Sequence, residues 1–252
     1  MLLKGILFDL YGTLLIPKNS KKAWHNWLIA FYRLMKDNGL QLSKKEFAIE
    51  CDGFFTREEP LEKDDDLSIY ENRIKKFAIE LDILLNNSKI KKIANECVSA
   101  WHKHVKIDPE TIPLLDTLND QKSLALISNF DHPSYLYSVL SKYHLTQYFD
   151  FIAISGEIGC KKPNPQIFDI TLEEMGLKAH EVVFIGDSRE DIEGARNANI
   201  KSILIQRQFK KRLIGNDYFS SNREQRLRKE YLNLESYKII SSLRELYEIF
   251  DL

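Results

Sequence analysis

Short apolar runs that stop abruptly at a polar residue recur along the chain. Gly5-Ile6-Leu7-Phe8 gives way to Asp9, Gly12 and Thr13, and Leu124-Ala125-Leu126-Ile127 stops at Ser128-Asn129. Phe151-Ile152-Ala153-Ile154 stops at Ser155-Gly156, and Val182-Val183-Phe184-Ile185 at Gly186-Asp187. A strand without alternation is buried on both faces, as in a parallel sheet covered by helices on either side. Helical patterns fall between the runs, including one after Asp108-Pro109, where Asp108 is placed to cap and Pro109 to open the first turn. Strands alternating with helices predict an α/β fold around a central parallel sheet. Ligands bind such sheets beyond the carboxyl ends of the strands, where these polar residues fall.

Residues 16–106 differ, because amphipathic helical patterns fill them without a strand run. Trp24, Trp27, Leu28, Phe31 and Leu34 recur at helical spacing, and Ser43-Lys44-Lys45-Glu46 and Ser68-Ile69-Tyr70-Glu71 read as capping boxes. The pattern predicts an all-helical cap domain over 16–106, inserted into a discontinuous core made of 1–15 and 107–252. Its aromatic stripe is expected to form the cap's own core. Near the other end, 207–232 is basic, with Arg207, Lys210, Lys211, Arg212, Arg223, Arg226, Arg228 and Lys229. A solvated face is the expectation there, with contact to an acidic substrate or partner as the alternative. A last strand over 236–240 and a closing helix follow.

Composition narrows the class. A chain of 252 residues with 44% hydrophobic content can bury one sizeable core and a smaller satellite. Its 36 basic and 37 acidic residues leave a net charge of −1, which gives no overall pull toward nucleic acid or an anionic membrane. The apolar start is interrupted by Asp9 too early for a signal peptide or a membrane span. Cys51, Cys97 and Cys160, odd in number and widely spaced, suit reduced thiols. The expectation is a cytoplasmic protein acting on a small molecule, with no nucleic-acid or membrane partner and an open oligomeric state.

The polar strand ends supply what phosphoryl transfer requires. A carboxylate such as Asp9 can act as a nucleophile, and Gly12 lets the backbone turn tightly against a ligand while Thr13 can steady the loop. Ser128 offers a hydroxyl to orient the phosphoryl group, Lys162 a fixed cation, and Asp187 with Asp191 acidic ligands for a hard divalent metal. The segments FDLYGTL, LALISNFD, SGEIGCKKPNPQIF and VVFIGDSREDIEGARNANI, in this order, resemble the four motifs of the haloacid-dehalogenase-like superfamily. The resemblance spans nearly the whole chain and implies a Rossmann-like core with a helical cap. It implies Asp9, Tyr11, Ser128 and Lys162 as the catalytic set, with Thr13 and Asn129 binding substrate. It also implies a magnesium site made by Asp9, the Tyr11 carbonyl, Asp187 and Asp191.

One position departs from the phosphatase pattern. Most phosphatases of the family carry a second aspartate two residues after the nucleophile as general acid and base, and this chain has Tyr11 there. Such help is typically worth ~10²–10⁴-fold. Tyrosine in a DLYGT setting resembles the metal-free 2-haloacid dehalogenases, whereas Gly186-Asp187-Ser188 and Asp191 resemble the metal-binding phosphatases. The expected activity is a magnesium-dependent phosphohydrolase working through an aspartyl-phosphate on a small phosphorylated metabolite. A 2-haloacid dehalogenase and a catalytically weak binding protein are the alternatives.

Overall fold

The structure, a computed structural model, describes residues 3–60, 63–207 and 238–252. It divides into two compact units. The first comprises 1–16, 107–129 and 144–252, and the second Pro17–Lys106 with Phe130–Tyr143.

The first unit is the α/β core. Six parallel strands are ordered β5-β4-β1-β6-β7-β8, where β1 is Gly5–Phe8, β4 Ser123–Ser128, β5 Phe151–Ile154, β6 Val182–Gly186, β7 Lys201–Ile205 and β8 Lys238–Ile240. Every residue of β1 and β6 is buried, as unbroken apolar runs require. One face packs Leu7, Ala125, Ile127 and Phe184 against Phe168 and Leu172 of helix α8 (Gln166–Met175) and Ala195 of α9 (Arg189–Asn197). Register does the rest: Phe8 lies opposite Leu126 on one side and Ile185 on the other, so Asp9, Ser128 and Asp187 all emerge just past the same sheet edge.

Helix α5 (Thr111–Asn119) begins later than expected. Asp108 does not cap it through its side chain; one carboxylate oxygen accepts from the Glu110 N–H at 2.8 Å and the other pairs with Arg207. The closing strand is β8, and α10 (Glu245–Phe250) follows it. Of the basic segment, only Arg207 falls among the described residues.

The second unit is built from α1 (Ser20–Lys36), α2 (Lys44–Glu50), α3 (Ile69–Glu80), α4 (Asn87–His102) and α6 (Pro133–Lys142). Both capping boxes form, Ser43 with Glu46 and Ser68 with Glu71. Trp27, Phe31, Phe47, Phe54 and Phe77 make a contiguous buried cluster, each worth about 1.5–3 kcal/mol of burial. Trp24 breaks the expected stripe, being 47% exposed with its ring tilted against Phe55 and Trp101. Two three-residue strands, β2 (Leu15–Pro17) and β3 (Val105–Ile107), pair where the chain leaves and re-enters the core. The three cysteines are free. No helix among the described residues is long and apolar enough to cross a membrane.

Candidate active site

Asp9 leaves β1 with its N–H donated to the Ile185 carbonyl at 2.8 Å, which extends the sheet by one bond and fixes where the carboxylate starts. The chain then turns sharply. Leu14 and Leu15 N–H groups both donate to the Leu10 carbonyl, and Gly12 N–H donates to Leu15 at 2.6 Å. Gly12 sits at φ +101°, and a Cβ there would collide with the Asp187 carboxylate. Only glycine serves at this position, for conformation and for room alike.

Lys162 reaches the same point from the segment before α8. Its ammonium is 2.7 Å from Asp9 Oδ1, 2.6 Å from Asp191 Oδ1 and 2.8 Å from the Ile127 carbonyl, and it lies over the Phe184 ring. Two hydrogen bonds, to Asp9 and the Ile127 carbonyl, and one ion pair, to Asp191, hold the ammonium in place. Asn129 holds the lysine's main chain from both ends of its amide, Oδ1 accepting from Lys162 N–H and Nδ2 donating to Lys162 C=O, each at 2.9 Å. The sequence pattern gave no sign of this clamp.

Asp191 lies on the first turn of α9, where Ser188 is the N-cap. Its Oδ2 accepts from the N–H groups of Asp187 at 3.1 Å and Ser188 at 2.9 Å. Helix capping and the charged cluster therefore share one carboxylate. Gly186 makes this possible, since an added Cβ would press on Asp191 at 2.6 Å. Ser128 is buried at the end of β4, and Thr13 is fully buried with no hydrogen bond to its hydroxyl among the described residues.

The electrostatics are unbalanced. Asp9, Asp187 and Asp191 each offer an oxygen within 4.8 Å of the others. Against them stands the Lys162 ammonium. Burial lifts the Asp9 carboxyl from 3.8 to about 6, with Lys162 opposing and Asp191 adding to the rise. Burial, then the charges of Asp9 and Asp191, push Asp187 from 3.8 to about 8. Burial alone would lower Lys162, but the carboxylates of Asp191 and Asp9 outweigh it and keep the ammonium charged. Carboxylates that resist ionisation for want of positive charge form a natural seat for a divalent cation. The donor set fits one, because all three ligands are oxygens and, among the described residues, the buried Asp9 Oδ2 has no hydrogen bond.

Residues 6–205 match the family described as haloacid dehalogenase-like hydrolase. The chain belongs to that family. Among relatives of this haloacid dehalogenase-like hydrolase, N-acylneuraminate-9-phosphatase of Rattus norvegicus is 29% identical over 119 residues, covering 45% of this chain and 48% of its own. The chain spans about half the length of the curated relatives it matches. Among solved structures, a HAD phosphatase from Thermococcus onnurineus superposes with a TM-score of 0.66 at 23% identity, over 98% of this chain and 97% of its own. A 2-haloacid dehalogenase from Pseudomonas syringae pv. Tomato DC3000 gives 0.63 at 19% identity over 99% of both chains. The shared fold thus accommodates both chemistries, and the side chains must decide between them.

Proposed function

We propose that this haloacid dehalogenase-like hydrolase is a magnesium-dependent phosphomonoesterase that acts through an aspartyl-phosphate on Asp9. One observation carries the reading: Asp187 and Asp191 stand within ligand distance of Asp9, with Lys162 as their counter-charge. A dehalogenase would draw a carboxylate substrate toward this excess of negative charge, at a Coulombic cost that a phosphatase offsets with its cation.

Asp9, the Tyr11 carbonyl, Asp187 and Asp191 would hold the magnesium ion, which when bound neutralises charge on the phosphoryl oxygens. The chain's own residues do the rest. An Asp9 carboxylate oxygen attacks phosphorus and forms a new P–O bond as the bond to the leaving oxygen breaks. Water then cleaves the acyl phosphate, giving inorganic phosphate and the free carboxylate. Lys162 orients Asp9 and stabilises charge on the transferred group, and Ser128 and Thr13 supply hydroxyls to its oxygens. Asn129 contributes through Lys162, whose main chain it holds. With Tyr11 replacing the second aspartate, the leaving alkoxide takes its proton from solvent, so good leaving groups are favoured.

The test is phosphate release from p-nitrophenyl phosphate, with magnesium and with EDTA, beside Asp9→Asn. We expect magnesium-dependent turnover that falls by more than about 10³-fold in the variant. Metal-independent halide release from 2-haloacids, with no phosphate release, would replace this reading by the dehalogenase one.

A further inference from the structure

Arg207 lies two residues beyond β7, and its guanidinium is spent on main-chain carbonyls of the loop after the nucleophile. Nε donates to the Gly12 carbonyl at 3.2 Å and Nη2 to the Thr13 carbonyl at 2.5 Å, while Nη1 pairs with Asp108. The arginine and the loop are 195 residues apart in sequence at Gly12. Asp108 is buried and is itself fixed, its N–H donated to the Leu14 carbonyl at 3.0 Å and its second oxygen accepting from Glu110. Thr111 adds a hydroxyl bond to the same Leu14 carbonyl at 2.9 Å. The base of the arginine is secured too, because the Gln206 N–H donates to Ile240 of β8 at 2.7 Å.

These contacts complete the hydrogen bonding of a loop that cannot complete it alone. The Gly12, Leu14 and Leu15 N–H groups donate within 10–15, whereas the Gly12 and Thr13 carbonyls face the guanidinium. Two adjacent carbonyls and a carboxylate suit a planar fork of donors, and a lysine ammonium could not span all three. Gly12 is packed against Asp187 with no room for a Cβ, so the course of the loop and the place of that carboxylate are linked.

We propose that Arg207 is a positioning residue for the nucleophile loop: anchored by Asp108, it holds the Gly12 and Thr13 carbonyls and so fixes the loop that runs on from Asp9 and packs Gly12 against Asp187. The consequence for catalysis rests on the phosphohydrolase reading above; the consequence for the loop does not. Arg207 touches no reacting atom. Its effect passes through the loop's main chain, and groups that orient metal ligands in this way typically matter by about 10–100-fold.

The experiment compares the full chain with Arg207→Met and Arg207→Lys. Hydrogen exchange in the peptide covering 10–15 should quicken about tenfold in Arg207→Met, with β4 and β6 unchanged. Magnesium binding measured by calorimetry should weaken about 10–100-fold, and kcat for p-nitrophenyl phosphate should fall similarly with KM nearly constant. Arg207→Lys should recover part of each loss and decides the matter by the same readouts if Arg207→Met fails to fold. Unchanged exchange at 10–15, or exchange raised equally across the sheet, would overturn the proposal. A wild-type protein that binds no magnesium and releases no phosphate would remove the phosphohydrolase reading, while exchange at 10–15 would still decide the role of Arg207.

Discussion

The helical unit and the α/β core both bury charge, and they treat it in opposite ways. In the helical unit, Glu71 accepts from Ser68 N–H, Asn72 bonds the carbonyls of Asp64, Leu67 and Ser68, and Arg73 donates to the Arg57 carbonyl at 2.6 Å and faces Asp131. His132 is held between Ser68 and Asn95. Here Glu71, Asn72, Arg73 and His132 each answer a nearby main-chain group, polar side chain or counter-charge, and the network is architecture. In the core, three carboxylates cluster, Lys162 pairs with only two of them, and among the described residues Asp9 Oδ2 has no hydrogen bond. Compensated polarity holds a fold together; polarity left in excess anticipates something that arrives from outside.

The contrast can be broken at its strongest point by Lys162→Met. Removing the ammonium leaves Asp9 and Asp191 buried without their partner, and unfolding in urea at pH 7 should show a loss of about 3–5 kcal/mol. Added magnesium should restore a large part of it. Arg73→Met is the matching change in the helical unit. Its loss should be smaller, about 1–3 kcal/mol, because the partner Asp131 is partly exposed and the freed groups are mostly carbonyls. Magnesium should leave that loss untouched, and a magnesium-sensitive loss in Arg73→Met would undo the distinction between the units.

Asp187→Asn sharpens the comparison through pH. The Asp187 carboxyl has its value raised to about 8 in the fold, above its ordinary 3.8, so the metal-free fold retains a proton that the unfolded chain releases. This contribution to stability is full below about pH 4 and is lost as pH rises through about 8. Asp187→Asn should therefore raise the metal-free Tm by a few degrees at pH 8 and by little at pH 4, and should abolish stabilisation by magnesium. A thermal melt series with EDTA checks the sign. Wild-type protein more stable at pH 8 than the variant would contradict it.

Much of the fold was legible because the sheet is buried on both faces. Each apolar run from Gly5 to Val182 announces a strand, and the residue that ends it announces the edge where Asp9, Ser128 and Asp187 emerge. The capping boxes at Ser43 and Ser68 were equally plain, since their partners lie three residues away. Features whose partners lie far along the chain were not. Asp108 matches a helix cap locally, but Arg207 claims its carboxylate, and Arg207 itself reads as one more residue of a basic stretch. Asn129 likewise gave no hint that it grips Lys162, 33 residues away. The strands β2 and β3, three residues each, are too short for any period to register.

The strand order has a consequence for how this chain is assembled. Gly5 of β1 pairs with Ser123 on one side and with Val182 on the other, and the whole helical insertion lies between the first strand and either neighbour. The loop-closure entropy of both pairings must be met before they return any energy, which makes the sheet's centre slow to form by comparison with the locally connected helices. During synthesis, most of the helical unit emerges while β1 still waits for β4, and β6 comes later again. Asp9 therefore gains its carboxylate neighbours at a late stage of folding, after most of the chain that they depend on has been made.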